Sequence, residues 1–292
     1  LDFLVHRELK QGDGVENYKT VPRGFKQIIF IDDKLQDLTA EYIEKLLEHE
    51  NKYTKVKYLN EPAIIFSEIV NESSLFYADR NKDLSPAAIK KLDEKFNEFL
   101  KAKYGSEEKL KEAWIKDGCS LQEGESLDKK SVAREQFKVN WGSWDTMFEA
   151  SCNARASDTK RFYAETEKKF YDKMINRLKE KGYKALLTGS NHWELWDAEL
   201  ALNAQYDFID RHSYWDHPSG GWSMHENINF TNSPVLKSRL NTVAELAHCR
   251  ILDKPFTVSE WNWLLPNRYR SGGPVIMSAY AKLQGWNAMM QF

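Results

Sequence analysis

Residues Ile64-Ile65-Phe66-Ser67-Glu68-Ile69-Val70-Asn71-Glu72-Ser73 form an apolar run that closes on Asn-Glu. A second run, Phe256-Thr257-Val258-Ser259-Glu260-Trp261-Asn262-Trp263, closes on Ser-Glu-Trp. Both are short and rich in β-branched and aromatic residues, as a buried parallel strand requires. Such a strand delivers a side chain at its C-terminal tip, and in a (β/α) barrel that tip is where chemistry sits. Two carboxyl groups facing each other across a pocket are the minimum equipment for hydrolysing a glycosidic bond. The expected catalytic pair is therefore Glu72 and Glu260.

The elements that must position them are read from periodicity. A strand is expected at Leu1–Val5 and a turn at Gln11–Gly14. Asp32 or Asp33 can cap a helix carrying Leu35, Leu38, Tyr42 and Leu46 at helical spacing. After the Glu72 strand, residues 75–155 read as a largely helical insertion. Ser85-Pro86 opens one helix, which Gly105 ends, and Ser106 opens another with Leu110 and Trp114 inward. Lys116–Lys130 is a polar loop, and a third helix is expected over 132–150. A long amphipathic helix over 158–181 precedes Gly182. Strands at 183–188, 206–213, 256–259 and 288–292 then alternate with helices at 194–203, up to 250, and 275–283.

Strands separated by helices argue for a parallel sheet covered by helices. Six strands are two short of a closed (β/α)8 TIM barrel. The expectation is one barrel domain over residues 1–292, incomplete, with strands three to eight present and about two N-terminal βα units belonging to a longer protein. A net charge of −2 supplies no basic field for nucleic acid. No apolar stretch reaches membrane-spanning length, so no membrane partner is expected.

With Asn71-Glu72 and Glu260 at their strand ends, His212-Ser213-Tyr214 on the strand between, and Trp286 before the last strand, the sequence resembles a large clan of retaining TIM-barrel glycoside hydrolases. That clan includes family 5 cellulases and mannanases and family 42 β-galactosidases. The text of residues 33–63, with Tyr42, Leu46-Leu47, Tyr53-Thr54 and Pro62-Ala63, is similar to cellulase-like members of it. The resemblance implies Asn-Glu at the end of the fourth strand, His-x-Tyr on the sixth, and a second Glu on the seventh. No arginine of the second strand can be assigned.

The resemblance also implies roles. Glu72 becomes the general acid/base, which must carry a proton at working pH, and a neighbouring carboxylate favours that proton. Glu260 becomes the nucleophile, with Tyr214 donating to it. Asn71 would bond the sugar 2-hydroxyl, and His212 and Asn191 would line the pocket, with His192 a further candidate. Trp215, Trp261, Trp263 and Trp286 follow strands, and their faces suit sugar rings. Trp215, Trp261 and Trp286 are taken as substrate-binding. The segment His217–Trp222 reads as a loop over that cleft.

Neighbouring residues compete for these roles. Asn60-Glu61-Pro62 precedes its apolar run, which makes Glu61 the weaker acid/base candidate. Asn71-Glu72-Ser73 fits a glycosylation sequon but would be a poor acceptor at a strand tip. Glu68 is expected in a buried ion pair. His212 and His217 flank Asp216, but a hydrolase of this kind needs no metal, and no cofactor is expected. Cys119, Cys152 and Cys249 fit no metal spacing and read as free thiols. A carbohydrate substrate and an extracellular or periplasmic location follow by analogy. A carbohydrate-binding barrel without catalysis and a non-glycosidic hydrolase on the same barrel are the alternatives.

Overall fold

A computed structural model describes residues 9–15, 18–20, 27–76, 84–139, 148–149, 152–191, 197–219, 227–239 and 241–292. The strand expected at Leu1–Val5 lies outside the described residues, as do His192, Trp193, Trp196 and Trp222. The chain forms two compact units, Leu1–Ala185 and Leu186–Phe292.

The first unit is mainly helical, and its helix starts follow side-chain capping. The Asp32 carboxylate accepts the Leu35 N–H at 3.0 Å, which satisfies a first-turn donor of α1 (Asp33–Glu48). Strand β1 (Phe66–Val70) ends on the fully buried Ile69 and Val70. Ser85 caps α2 (Pro86–Tyr104), which stops at Gly105 with φ +79°. Ser106 caps α3 (Glu107–Ile115), and Leu110 and Trp114 are buried as expected.

The described residues of the third helix expected over 132–150 are not helical, and 140–147 lie outside the described set. Residues 131–137 are irregular, and β2 (Lys138–Val139) pairs antiparallel with β3 (Phe148–Glu149). Side chains of the neighbouring helices take up the backbone groups that a helix would have paired. Asn97 accepts the Val132 N–H at 3.1 Å and donates to its carbonyl at 2.9 Å. Thr159 accepts the Glu135 N–H at 2.9 Å, and Arg155 donates to the Ala133 carbonyl at 3.0 Å. Every such group needs a partner once buried, and here those partners come from outside the segment.

Helix α4 (Asn153–Glu180) supplies Thr159 and Arg155, and buries Phe162, Phe170, Met174 and Leu178. Lys173, Arg177 and Lys181 pair with Asp37, Glu44 and Glu48 of α1. The free-thiol reading of the cysteines is corrected: Cys119 and Cys152 form a disulfide, with Cα atoms 5.6 Å apart, and Cys249 alone is a buried free thiol. Beside the disulfide, Arg155 pairs with Glu125 at 2.6 Å, and its guanidinium lies 4.9 Å from the Trp114 ring.

The second unit alternates strands and helices: β4 (Leu186–Ser190), α5 (Asp197–Asn203), β5 (Ile209–Trp215), α6 (Thr242–His248), β6 (Phe256–Trp263), α7 (Gly272–Gln284) and β7 (Ala288–Gln291). Strands β5, β6 and β7 form a parallel sheet in that order. It is the largest sheet among the described residues, so the architecture is α/β with a small parallel sheet, and a closed eight-stranded barrel is not shown. Helix α7 begins three residues earlier than periodicity predicts, on Gly272 and Gly273. A Cβ on either would lie 3.2 or 3.0 Å from the Trp263 ring, so only glycine lets that indole pack on the first turn. No helix among the described residues is long and apolar enough to cross a membrane.

The outer face of β5 is polar and buried. Arg211 lies 4.0 Å from Glu199 on α5, and the Ser213 hydroxyl donates to Glu245 on α6 at 2.8 Å. Burial pushes the Glu199 carboxyl up to about 7, against the opposing pull of Arg211 and Asn203. Burial likewise raises Glu245.

Two stability predictions follow from these packings. Replacing Cys119 and Cys152 together by serine should lower unfolding stability by about 2–4 kcal/mol, read as a shift of the urea midpoint relative to the oxidised chain. Folded Glu199 keeps a proton that the unfolded chain releases from its usual 4.5 upward. Its contribution is therefore full below pH 4.5 and is lost as pH rises toward about 7. Unfolding free energies from urea titrations at pH 5 to 8 should fall across that window, by up to about 3 kcal/mol, and Glu199→Gln should flatten the slope.

Candidate active site

Asn71 and Glu72 stand directly after β1, both partly exposed. Glu72 has φ +48°, the left-handed region that glycine favours. The loop that follows is anchored from α4. Fully buried Glu167 accepts the Ser74 hydroxyl at 2.8 Å and also the Leu75 N–H, and Ser73 and Ser74 are wholly buried. Glu61 lies at the opposite end of the strand. Its carboxylate accepts the Ala63 N–H at 3.1 Å and holds the turn that leads into β1. Glu68 is partly buried within β1.

In the second unit, alternation along β5 sends Arg211 and Ser213 toward α5 and α6 and leaves Asp210, His212 and Tyr214 on the other face. On β6 the alternation is interrupted. Asp210 aligns with Thr257 and His212 with Glu260, so two residues of β5 span three of β6. Against β7 the same slip occurs between Val258 and Trp261. This is a β-bulge, which re-aims side chains. Thr257, Ser259 and Glu260 consequently all reach the Asp210–His212–Tyr214 face.

The contacts there are short. The Tyr214 hydroxyl donates to Glu260 Oε2 at 2.7 Å, and His212 Nδ1 lies 3.4 Å from the same oxygen. His212 Nε2 is 2.8 Å from Ser259 Oγ, and the Ser259 hydroxyl donates to Asp210 Oδ2. Asp210 Oδ1 accepts the Thr257 hydroxyl at 2.5 Å and the Ser259 N–H at 3.0 Å. Asp210 is wholly buried and His212 nearly so, whereas Glu260 is partly exposed. A carboxylate is thus presented to solvent from a dry, hydrogen-bonded base.

The loop leaving β5 is fixed by Asp216, which has φ +56°. It accepts the Thr231 N–H and hydroxyl at 2.6 and 2.9 Å, the Asn232 N–H at 2.7 Å and the Asn267 amide at 2.8 Å. Burial opposes its charge, but these bonds outweigh it and hold the carboxyl below its usual range. Ser219 and Asn229 bridge antiparallel within this loop, and residues 220–226 lie outside the described set.

Of the sequence-predicted residues, His212, Tyr214 and Glu260 come together. Asn191 follows β4 and is buried. Trp215 is partly exposed and donates its indole N–H to the Ser233 carbonyl at 2.9 Å. Trp261 and Trp286 are core residues, 6% and 9% exposed, with the Trp286 ring 5.5 Å from Phe256. They offer little face to a sugar. Asp210 and Ser259 were not singled out from the sequence, although the alternation Asp210-x-His212-x-Tyr214 was a signal for the first.

No protein-family model matches the chain, and no curated protein matches it. Among solved structures it is similar to PfGH50B, with 14% identity and a TM-score of 0.45, over 80% of this chain and 29% of that one. It is also similar to an exo-beta-agarase, with 17% identity and a TM-score of 0.43, over 80% of this chain and 27% of that one. The chain spans less than a third of the length of either.

The left-handed backbone at Glu72 predicts a reversal of the usual glycine penalty. Glu72→Gly should be more stable than Glu72→Ala by about 1 kcal/mol, because only glycine adopts that conformation without strain. Urea unfolding of the two variants measures the difference.

Proposed function

We propose that the chain is part of the catalytic (β/α) barrel domain, strands three to eight, of a retaining glycoside hydrolase acting on β-linked glycosides or polysaccharides. The observation that carries this reading is the setting of Glu260. Tyr214 and His212 both approach Oε2, which leaves Oε1 as the attacking oxygen. In the first step Oε1 bonds to the anomeric carbon while the glycosidic C–O bond breaks, and Glu72 passes its proton to the leaving oxygen. In the second, Glu72 takes a proton from water, the water oxygen bonds to the anomeric carbon, and the bond to Glu260 breaks. Asn71 would hold the sugar 2-hydroxyl next to Glu72, and Trp215 and the loop pinned by Asp216 would contact the remainder of the substrate. The Cys119–Cys152 disulfide supports an extracellular or periplasmic site, since such bonds persist in oxidising compartments.

The test uses aryl β-glycosides and the full chain. Glu260→Gln should abolish turnover while substrate binding is retained, and a 2-fluoro sugar should label Glu260. Glu72→Ala should lose about 10²–10⁴-fold on substrates with poor leaving groups, and much less on activated ones that need no proton. Azide should restore Glu260→Ala as the inverted glycosyl azide. Binding without turnover in the unmodified chain would instead identify a carbohydrate-binding module, and labelling at another residue would refute the nucleophile.

A further inference from the structure

Behind Glu260 runs a chain of groups that ends on a buried carboxylate. The Asp210 carboxylate can only accept. It takes the Thr257 hydroxyl at 2.5 Å and the Ser259 N–H at 3.0 Å on Oδ1, and the Ser259 hydroxyl on Oδ2. That commits the single hydroxyl proton of Ser259. Toward His212 Nε2, 2.8 Å away, Ser259 Oγ then has only a lone pair to offer. Nε2 must carry the hydrogen in that contact, and Nδ1 is the nitrogen turned to Glu260 Oε2 at 3.4 Å. Asp210 is 0% and His212 3% exposed, so bulk water does not reorganise the chain.

We propose that Asp210 and Ser259 are positioning residues for the nucleophile: they fix His212 as its Nε2–H tautomer and thereby decide whether Nδ1, the nitrogen that faces Glu260, carries a hydrogen. The role takes Glu260 as the nucleophile, as proposed above. In its neutral form the ring then has a lone pair, not a hydrogen, on the side of Oε2. In that form it gives the carboxylate no hydrogen bond, and Tyr214 serves as the donor to that oxygen. The opposite tautomer would place a second hydrogen bond on the nucleophile and weaken its attack.

The relay can be inverted by one isosteric change. In Asp210→Asn the amide oxygen stays on Thr257 and the Ser259 N–H, and the amide N–H₂ faces Ser259 Oγ. The hydroxyl proton must then turn to His212 Nε2, and the ring hydrogen moves to Nδ1. Imidazole ¹⁵N NMR of the full chain, with His212→Gln for assignment, should read Nε2–H in the unmodified protein and in Ser259→Thr. It should read Nδ1–H in Asp210→Asn and lose the preference in Ser259→Ala. On aryl glycosides kcat should fall about tenfold in Asp210→Asn with little change in KM, and Ser259→Thr should keep most of the activity that Ser259→Ala loses. An Nδ1–H ring in the unmodified protein, or an unchanged tautomer in Asp210→Asn, overturns the proposal. If Asp210→Asn fails to fold, the Ser259 pair carries the same test. The tautomer is read without turnover, so an inactive protein with the stated tautomers removes the nucleophile reading and leaves the relay standing.

Discussion

Between Val258 and Trp261, β6 holds one residue more than the stretch of β5 or β7 that it lies beside. Strict alternation would carry the face of Thr257 and Ser259 on to Trp261 and turn Glu260 away. The extra residue reverses this. Ser259 and Glu260, neighbours in sequence, both reach the side chains of Asp210, His212 and Tyr214, while Trp261 is buried in the core. A bulge leaves backbone groups without a regular ladder partner, and Asp210 compensates by accepting the Ser259 N–H directly. The same carboxylate that repairs the backbone therefore orders the side chains. Pairing, bulge and hydrogen-bond chain are one construction.

The opposite face of β5 explains why this construction can be rigid. Arg211, Ser213, Glu199 and Glu245 are polar groups in a region that burial would normally reserve for aliphatic side chains. Replacing such groups by well-packed apolar ones is often neutral or stabilising, so their presence is weak evidence of added stability. They do restrict register. A one-residue slip of β5 would turn Arg211 and Ser213 away from the acids of α5 and α6, and would bring Asp210 and His212 against them. Polar groups on both faces thus penalise the misalignment that would scatter the candidate site.

Local signals made much of the scaffold legible in sequence. Asp32, Ser85 and Ser106 each cap a helix where expected, and Gly105 and Gly182 stop theirs with positive φ. His212, Tyr214 and Glu260 were readable as a group because the first two alternate on one strand and the third closes an apolar run. What escaped depends on distant partners. Residues 131–137 carry enough apolar positions for a helix, yet Asn97, Arg155 and Thr159 take up backbone groups of Val132, Ala133 and Glu135 in an irregular segment. Cys119 and Cys152 lie 33 residues apart with no spacing rule to join them. The tryptophans read as sugar platforms from their places after strands, but Trp261 lies on the wrong side of a bulge that no local pattern announces. Gly272 and Gly273 begin α7 against their own propensity because Trp263 needs the space.

The two glutamates proposed for catalysis are held by different physics, and the difference suits their proposed roles. Glu260 sits within a strand, and its oxygen is fixed by side-chain contacts from β5. An attacking group gains from such preorganisation, because small errors of position at the reacting carbon are costly. Glu72 instead follows a strand on a backbone in the left-handed region, in a loop anchored two and three residues later by Glu167. Backbone strain of this kind persists only where the surroundings over-determine it, and the buried bonds from Ser74 and the Leu75 N–H to Glu167 supply that constraint. The side chain itself is left partly exposed, as a group must be if it is to release a proton to a leaving oxygen and take one back from water. Side-chain contacts thus hold the one carboxylate, and the backbone of an anchored loop carries the other.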